Sequence, residues 1–278
     1  MKNILIFFLI IFFLTSCNTT KIFYNYGDFI VSWQVDNYFD LTKEQTEWIE
    51  KKSKFHLDWH RKTELPIYKE YLIEIKGKTI DGINMSQLDK WFEKFEKLRD
   101  RIFERLTPDI AFFLAGLSNN QLKFLEAQML EDNEEMNKIV EDNKKRLEKR
   151  KEYFFEQMEN WFGEFSETQV VHLNTLQNKW FLESSQNSEE RMKLRLKSQN
   201  QFLSILRSNP DQIIIENWLK QWIFDMVNSS NKKRKKRILV NKKRILEVDK
   251  ILTHDQRLKA IQELGSWIKI IEETIENS

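Results

Sequence analysis

Two histidines and a glutamate pose the first chemical question. His56 and His60 stand four residues apart, and Glu64 follows one helical turn later. On a helix, that spacing presents two imidazole nitrogens and a carboxylate along one face, a donor set suited to Zn²⁺. Two features argue against a metal. Leu57 follows His56 where a zinc protease carries its glutamate base, and Pro66 disturbs the helix just beyond. Two helical histidines seldom hold zinc without a third ligand. The expectation is therefore no metal and no cofactor, with His60, Arg61 and Glu64 forming a hydrogen-bonded cluster that fixes a kink at Pro66. His172 and His254 lie far apart in the chain, and no nucleophile elbow, phosphate-cradling glycine loop or dinucleotide fingerprint is present. Such a chain should act by binding, without a catalytic site.

A different chemistry is written at Cys17. Lys2 gives a short positive start, Ile4 to Leu14 is an unbroken apolar run, and Thr15 and Ser16 lead into Cys17. The run is too short to cross a bilayer, which needs about 20 residues, but it has the length of a signal-peptide core. Leu14-Thr15-Ser16-Cys17 resembles the lipobox of bacterial lipoproteins. That resemblance implies diacylglyceryl transfer to the Cys17 thiol and cleavage before it. Cys17 is the only cysteine, so the mature chain has no disulfide to form in an oxidising compartment. Several acyl chains on one residue anchor stably where one alone would be marginal. Asn18 follows Cys17 instead of Asp, which by analogy with lipoprotein sorting points to the outer membrane, facing the periplasm.

Removing residues 1–16 takes away Lys2, leaving 44 of the 45 basic side chains against 43 acidic ones. A chain so close to neutral is no broad polyanion binder, and no nucleic-acid role is expected. Only 6 Gly and 3 Pro leave little material for turns, and 32% charged with 41% hydrophobic residues reads as amphipathic helices. The fold class is all-α: an elongated multi-helix bundle. Its nine Trp and 21 Phe are expected to fill the core.

The order of elements follows from caps and breakers. After the signal peptide (1–16), residues 17–27 read as the acylated cysteine and a short tether, and 28–278 as the helical domain, with sub-division near 116 or 163. A brief helix should run from Asp28 to Phe39, and a second from Leu41 to about Lys62. Pro66 should stop or kink it, with the next helix over Glu64 to Ile75. Ser86 to Leu106 carries one apolar stripe, and Thr107-Pro108 reads as a stop and restart. Ser118 to Trp161 contains neither Gly nor Pro, and its apolar residues recur about every 3.6 positions. It reads as one long, straight helix of about 65 Å. Further helices are expected at Ser166–Glu183, Ser188–Leu206 and Asp211–Val227, and from near Thr253.

Four helix starts share one spelling: Leu41-Thr42-x-x-Gln45, Leu117-Ser118-x-x-Gln121, Phe165-Ser166-x-x-Gln169 and Leu252-Thr253-x-x-Gln256. Each is a capping box. The hydroxyl accepts from the backbone N–H of the third helical residue, whose glutamine reaches back to the cap's own N–H. Glu would serve that purpose equally well, so four glutamines ask for a further reason. The spelling resembles the LTxxQ periplasmic proteins, the Spy and CpxP-type envelope-stress chaperones and sensors. That resemblance implies a helical cradle for unfolded clients, which is the alternative functional expectation. A second resemblance lies in Trp33 to Leu41 with Gln45, followed by Trp59-His60-Arg61-Lys62-Thr63-Glu64-Leu65-Pro66-x-Tyr68. Together with the lipobox, it is similar to a family of uncharacterised bacterial lipoproteins known only as a domain of unknown function. The match covers most of the mature chain and implies fold and location but no activity.

The run Lys232, Lys233, Arg234, Lys235, Lys236 and Arg237 offers contact with anionic lipid head groups. The plainer reading is the solvated start of a helix whose apolar face is Ile238, Leu239, Ile245, Val248 and Leu252.

Overall fold

A computed structural model describes residues 16–141, 143–185, 188–227 and 232–276, and the side chains of most of these. The lipobox run, the Cys17 side chain and the Lys233 side chain lie outside the described residues. The fold is all-α, with no strand among the described residues. The first helix, α1, spans Ser16–Phe39, so the stretch expected as a tether is helical and continuous with the brief helix expected after it. Asp40 ends it in the left-handed region at φ 47°, while the Asp36 carboxylate accepts from the Leu41 N–H at 2.8 Å.

α1 turns back along α2 (Lys43–Trp59). Gly27 permits the close approach, because a Cβ there would sit 2.8 Å from Leu57 Cδ1. Ser32 and Phe39 are buried on the inner side of α1. The outer side corrects the expectation that Trp and Phe stripes are core: Tyr26, Phe29 and Trp33 are 62%, 63% and 55% exposed.

Past Trp59 the chain widens into a single π-helical turn, His60–Glu64, and then resumes as α3, Leu65–Lys76. Pro66 is the cause. It has no N–H to give to the fourth residue before it, and its ring would collide with that carbonyl in a regular helix. The backbone absorbs the conflict one turn earlier, with the Leu65 N–H reaching back five residues to the His60 carbonyl. The anticipated kink is thus a widened turn in an uninterrupted helical run.

The next expectation fails. Met85–Ala115 is one helix, α4, with Pro108 inside it, so Thr107-Pro108 does not restart the chain. Proline costs a helix interior about 3 kcal/mol, but burial on both sides outweighs it. Thr107 and Ala111 are almost wholly enclosed, and the Thr107 hydroxyl donates to the Phe103 carbonyl at 2.5 Å. α9 (Gln212–Val227) lies along this part of α4, and the Gln212 side-chain amide donates to the Pro108 carbonyl at 3.3 Å.

The stretch expected as one long helix is described as α5 (Asn119–Glu141) and α6 (Asn143–Phe162), on either side of residue 142, which lies outside the described residues. α7 (Glu167–Ser185), α8 (Ser188–Arg207), α10 (Lys232–Asp249) and α11 (His254–Glu276) complete the chain. Among the described residues two apolar cores stand out. The larger joins Phe39 of α1, Ala111 and Leu114 of α4, Leu122 and Leu125 of α5, Phe202 of α8 and Ile215 of α9. It passes across residue 116 without a break. In the smaller, Leu65 and Tyr68 of α3 and Leu98 of α4 meet Ile271 of α11, so the last helix returns to the first third of the chain.

Candidate functional site

The metal-like triad separates in space. His56 Nε2 lies 2.8 Å from Asp109 Oδ2 on α4, and Lys52 holds the other oxygen of the same carboxylate at 2.8 Å. Burial lowers the His56 pKa, outweighing its hydrogen bond with Asp109. His60 turns toward α1 instead, where its Nδ1 and the Tyr24 hydroxyl share a hydrogen bond of 2.5 Å. Burial pushes the imidazole down to about 4, so it stays neutral near pH 7. Glu64 faces a third direction, toward α4. Among the described residues, no group of three His, Cys, Asp or Glu side chains is placed to hold a metal.

The expected cluster of His60, Arg61 and Glu64 reaches outward, and each side chain takes a partner from a neighbouring helix. The Arg61 guanidinium lies over the Tyr24 ring at 5.1 Å and donates to the Tyr24 carbonyl at 3.0 Å. Glu64, fully enclosed, accepts from Arg101 Nε at 3.1 Å and from its terminal nitrogen at 2.8 Å. That pairing raises the Arg101 pKa. Tyr68, edge-on to the His60 ring, is pushed up by burial and by the Glu64 charge. The result is a clamp of α1 and α4 onto the widened turn. Tyr24 and Arg101, which complete it, are invisible to local spacing.

The four capping boxes all form as expected. Cap N–H to Gln Oε1 distances are 3.0 Å at Thr42, 3.1 Å at Ser118, 3.0 Å at Ser166 and 3.0 Å at Thr253. The reciprocal bonds to the hydroxyls run from 3.2 to 3.3 Å. A fifth box, Asn84 with Gln87, opens α4. It was legible as Ile83-Asn84-x-x-Gln87, since Asn caps as well as Ser.

The four boxes of shared spelling then meet in two pairs. Gln121 Nε2 donates to Gln45 Oε1 at 2.7 Å, and Gln45 Nε2 returns a longer bond of 3.4 Å. Gln169 and Gln256 exchange the same two bonds at 2.8 and 3.3 Å. Three of the glutamines also donate to the carbonyl two residues ahead of the partner's cap. Gln121 reaches Asp40, Gln169 reaches Ile251 and Gln256 reaches Glu164, at 3.3, 2.7 and 2.8 Å. Each of these amides therefore bonds four times, twice through oxygen and twice through nitrogen. A carboxylate can cap a helix but cannot donate. The pairing is the further reason for glutamine, and it ties α2 to α5 and α7 to α11 at their first turns.

A polar network also missed by sequence spacing joins α1, α5 and α8. The Tyr38 hydroxyl donates to Asp132 at 3.0 Å, Arg195 donates to Asp132 and Asn133, and Asn133 donates to Gln199 at 2.8 Å. Burial and the Asp132 charge push Tyr38 up to about 12.

The basic run opens α10. Arg234 turns inward to pair with Glu96 of α4, while Lys232, Lys235, Lys236 and Arg237 are exposed. Farther along, Lys242 pairs with Asp89 at 2.8 Å with its ammonium over the Phe92 ring, and Arg244 pairs with Glu183. Part of the positive charge thus holds α10 to α4 and α7.

Residues 37–225 match a family of unknown function (DUF6279), and the chain belongs to that family. Neither the curated proteins nor the solved structures give a match.

Proposed function

We propose that this member of the family is an envelope lipoprotein, anchored through Cys17 in the outer membrane and facing the periplasm, which acts by binding a partner and not by catalysis. One observation carries the reading: Leu14-Thr15-Ser16-Cys17 directly behind the apolar run Ile4–Leu14, in a chain with one cysteine. The test is the mass of the N-terminal peptide from membranes. It should begin at Cys17 and carry glyceryl and acyl groups, and Cys17→Ala should move the protein from the membrane pellet to the soluble fraction. A Cys17 with a free thiol, or an uncleaved leader, defeats the reading.

A second reading, a chaperone or stress sensor holding unfolded clients, is favoured by exposed apolar side chains such as Leu130, Val171 and Leu182. The paired glutamines weaken its other support, since they give the repeated spelling a job inside the fold. Near-stoichiometric protein should suppress aggregation of a reduced, unrelated client if the second reading holds. Undiminished light scattering removes it and leaves the specific-partner reading.

A further inference from the structure

We infer that the outward face of α1 at Tyr26, Phe29 and Trp33 is a bilayer contact, which lays this helix along the membrane surface beside its own anchor. The inference rests on the lipid anchoring of Cys17 proposed above. The three side chains follow one another at steps of three and four, so they share a face. Each is more than half exposed, whereas Gly27, Ser32 and Phe39 on the other side are packed into the protein. The aromatic face is therefore outward because the helix is fixed, not because the helix is loose.

Three features select lipid as the occupant. The residue types are those of the membrane interface, where Tyr and Trp bury a ring and keep a polar atom wet. The apolar part of the face ends at Trp33, because the exposed residues that follow are Asp36 and Asn37. Finally, the stripe is close to the anchor. Cys17 lies in the first turn of the same helix, about 14 Å from Tyr26 and about 24 Å from Trp33 along the axis at 1.5 Å per residue. With one end held at the bilayer, the helix has only to lie flat to bring all three rings into the head-group region. Standing upright, it would leave Trp33 in water. A partner protein would have to compete for this face against a surface held next to it by a covalent tether. No basic side chain is among the exposed residues from Asn25 to Asn37, so the contact works by burial and not by charge.

The experiment uses the full acylated chain, reconstituted in phosphatidylethanolamine–phosphatidylglycerol vesicles. Phe29→Cys and, separately, Trp33→Cys carry a nitroxide, and acylation of Cys17 leaves the new thiol as the only one to label. Val171→Cys, 66% exposed on α7, is the aqueous control. The readout is the ratio of nitroxide collisions with oxygen to collisions with a water-soluble nickel chelate. Positions 29 and 33 should give a ratio several-fold above position 171. Equal ratios at all three positions overturn the inference while leaving the anchor intact. Spin–spin broadening at position 29 would mean that a second copy covers the face, and also overturns it. Labelling at Cys17 itself would show the anchor absent, and the inference falls with it.

Discussion

Replacing both glutamines of one clasp, Gln45→Glu with Gln121→Glu, should destabilise the protein by about 3 kcal/mol at pH 7. By helix capping alone the change is neutral, since Glu at the third helical position completes a capping box as well as Gln does. The structure adds a conflict. The two amides face each other at 2.7 and 3.4 Å, and Gln121 also donates to the Asp40 carbonyl. Two carboxylates in that space have no proton to share between them, and the Asp40 carbonyl loses its donor. Some relief comes from the two helix N-termini, which favour negative charge by roughly 0.3–1 kcal/mol each, so the single variants should lose far less than half of the total. The effect has a pH signature. Like charges raise the folded-state pKa of the new pair above its unfolded value near 4.3. Stability relative to the parent is then present below the unfolded pKa, where a protonated carboxyl can donate, and is lost as pH rises through the raised folded pKa. Urea denaturation at pH 4.5 and pH 7.5 would show the deficit only at the higher pH. Equal midpoints for parent and double variant at pH 7.5 would return the four boxes to independent caps.

Much of this was legible in the chain, and the reasons differ by element. All four boxes were readable because capping is local: cap, apolar predecessor and glutamine lie within five residues. Their pairing was not, since Gln45 and Gln121 are 76 residues apart and Gln169 and Gln256 are 87 apart. The excess of Gln over Glu was the one trace of it. Helix breakers were read too literally. Pro66 and Pro108 each disturb a helix in isolation, but α4 continues through Pro108, where α9 packs alongside, and the turn before Pro66 widens instead of ending. The first helix shows the opposite error. Residues 17–27 read as a tether, yet Gly27 at its end allows α1 to approach Leu57 closely. The aromatic stripe then faces out because the inner side is already filled. Periodicity gives a stripe but not the direction in which it points, and a bilayer-facing stripe reads the same as a core-facing one.

The clamp at the π-turn makes the remaining large prediction. Arg101→Met should cost about 3 kcal/mol at neutral pH, the lower end of the range for breaking a buried ion pair. Glu64 is fully enclosed, and both of its oxygens are held by the Arg101 guanidinium. Without that partner it is a buried charge with no cation beside it. The lower end applies because the Arg101 side chain is 47% exposed, so the pair is screened from one side and water can enter beside methionine. Adding Glu64→Gln to Arg101→Met removes the stranded charge and should recover most of the loss, a coupling that a double-mutant cycle would read directly. If the two single losses simply add, Glu64 is not held by Arg101, and the π-turn must be fixed by Pro66 and the Tyr24 contacts alone. If they couple, the widened turn is clamped from α4 as well as from α1, and the stretch from Trp59 to Tyr68 is a joint between helices.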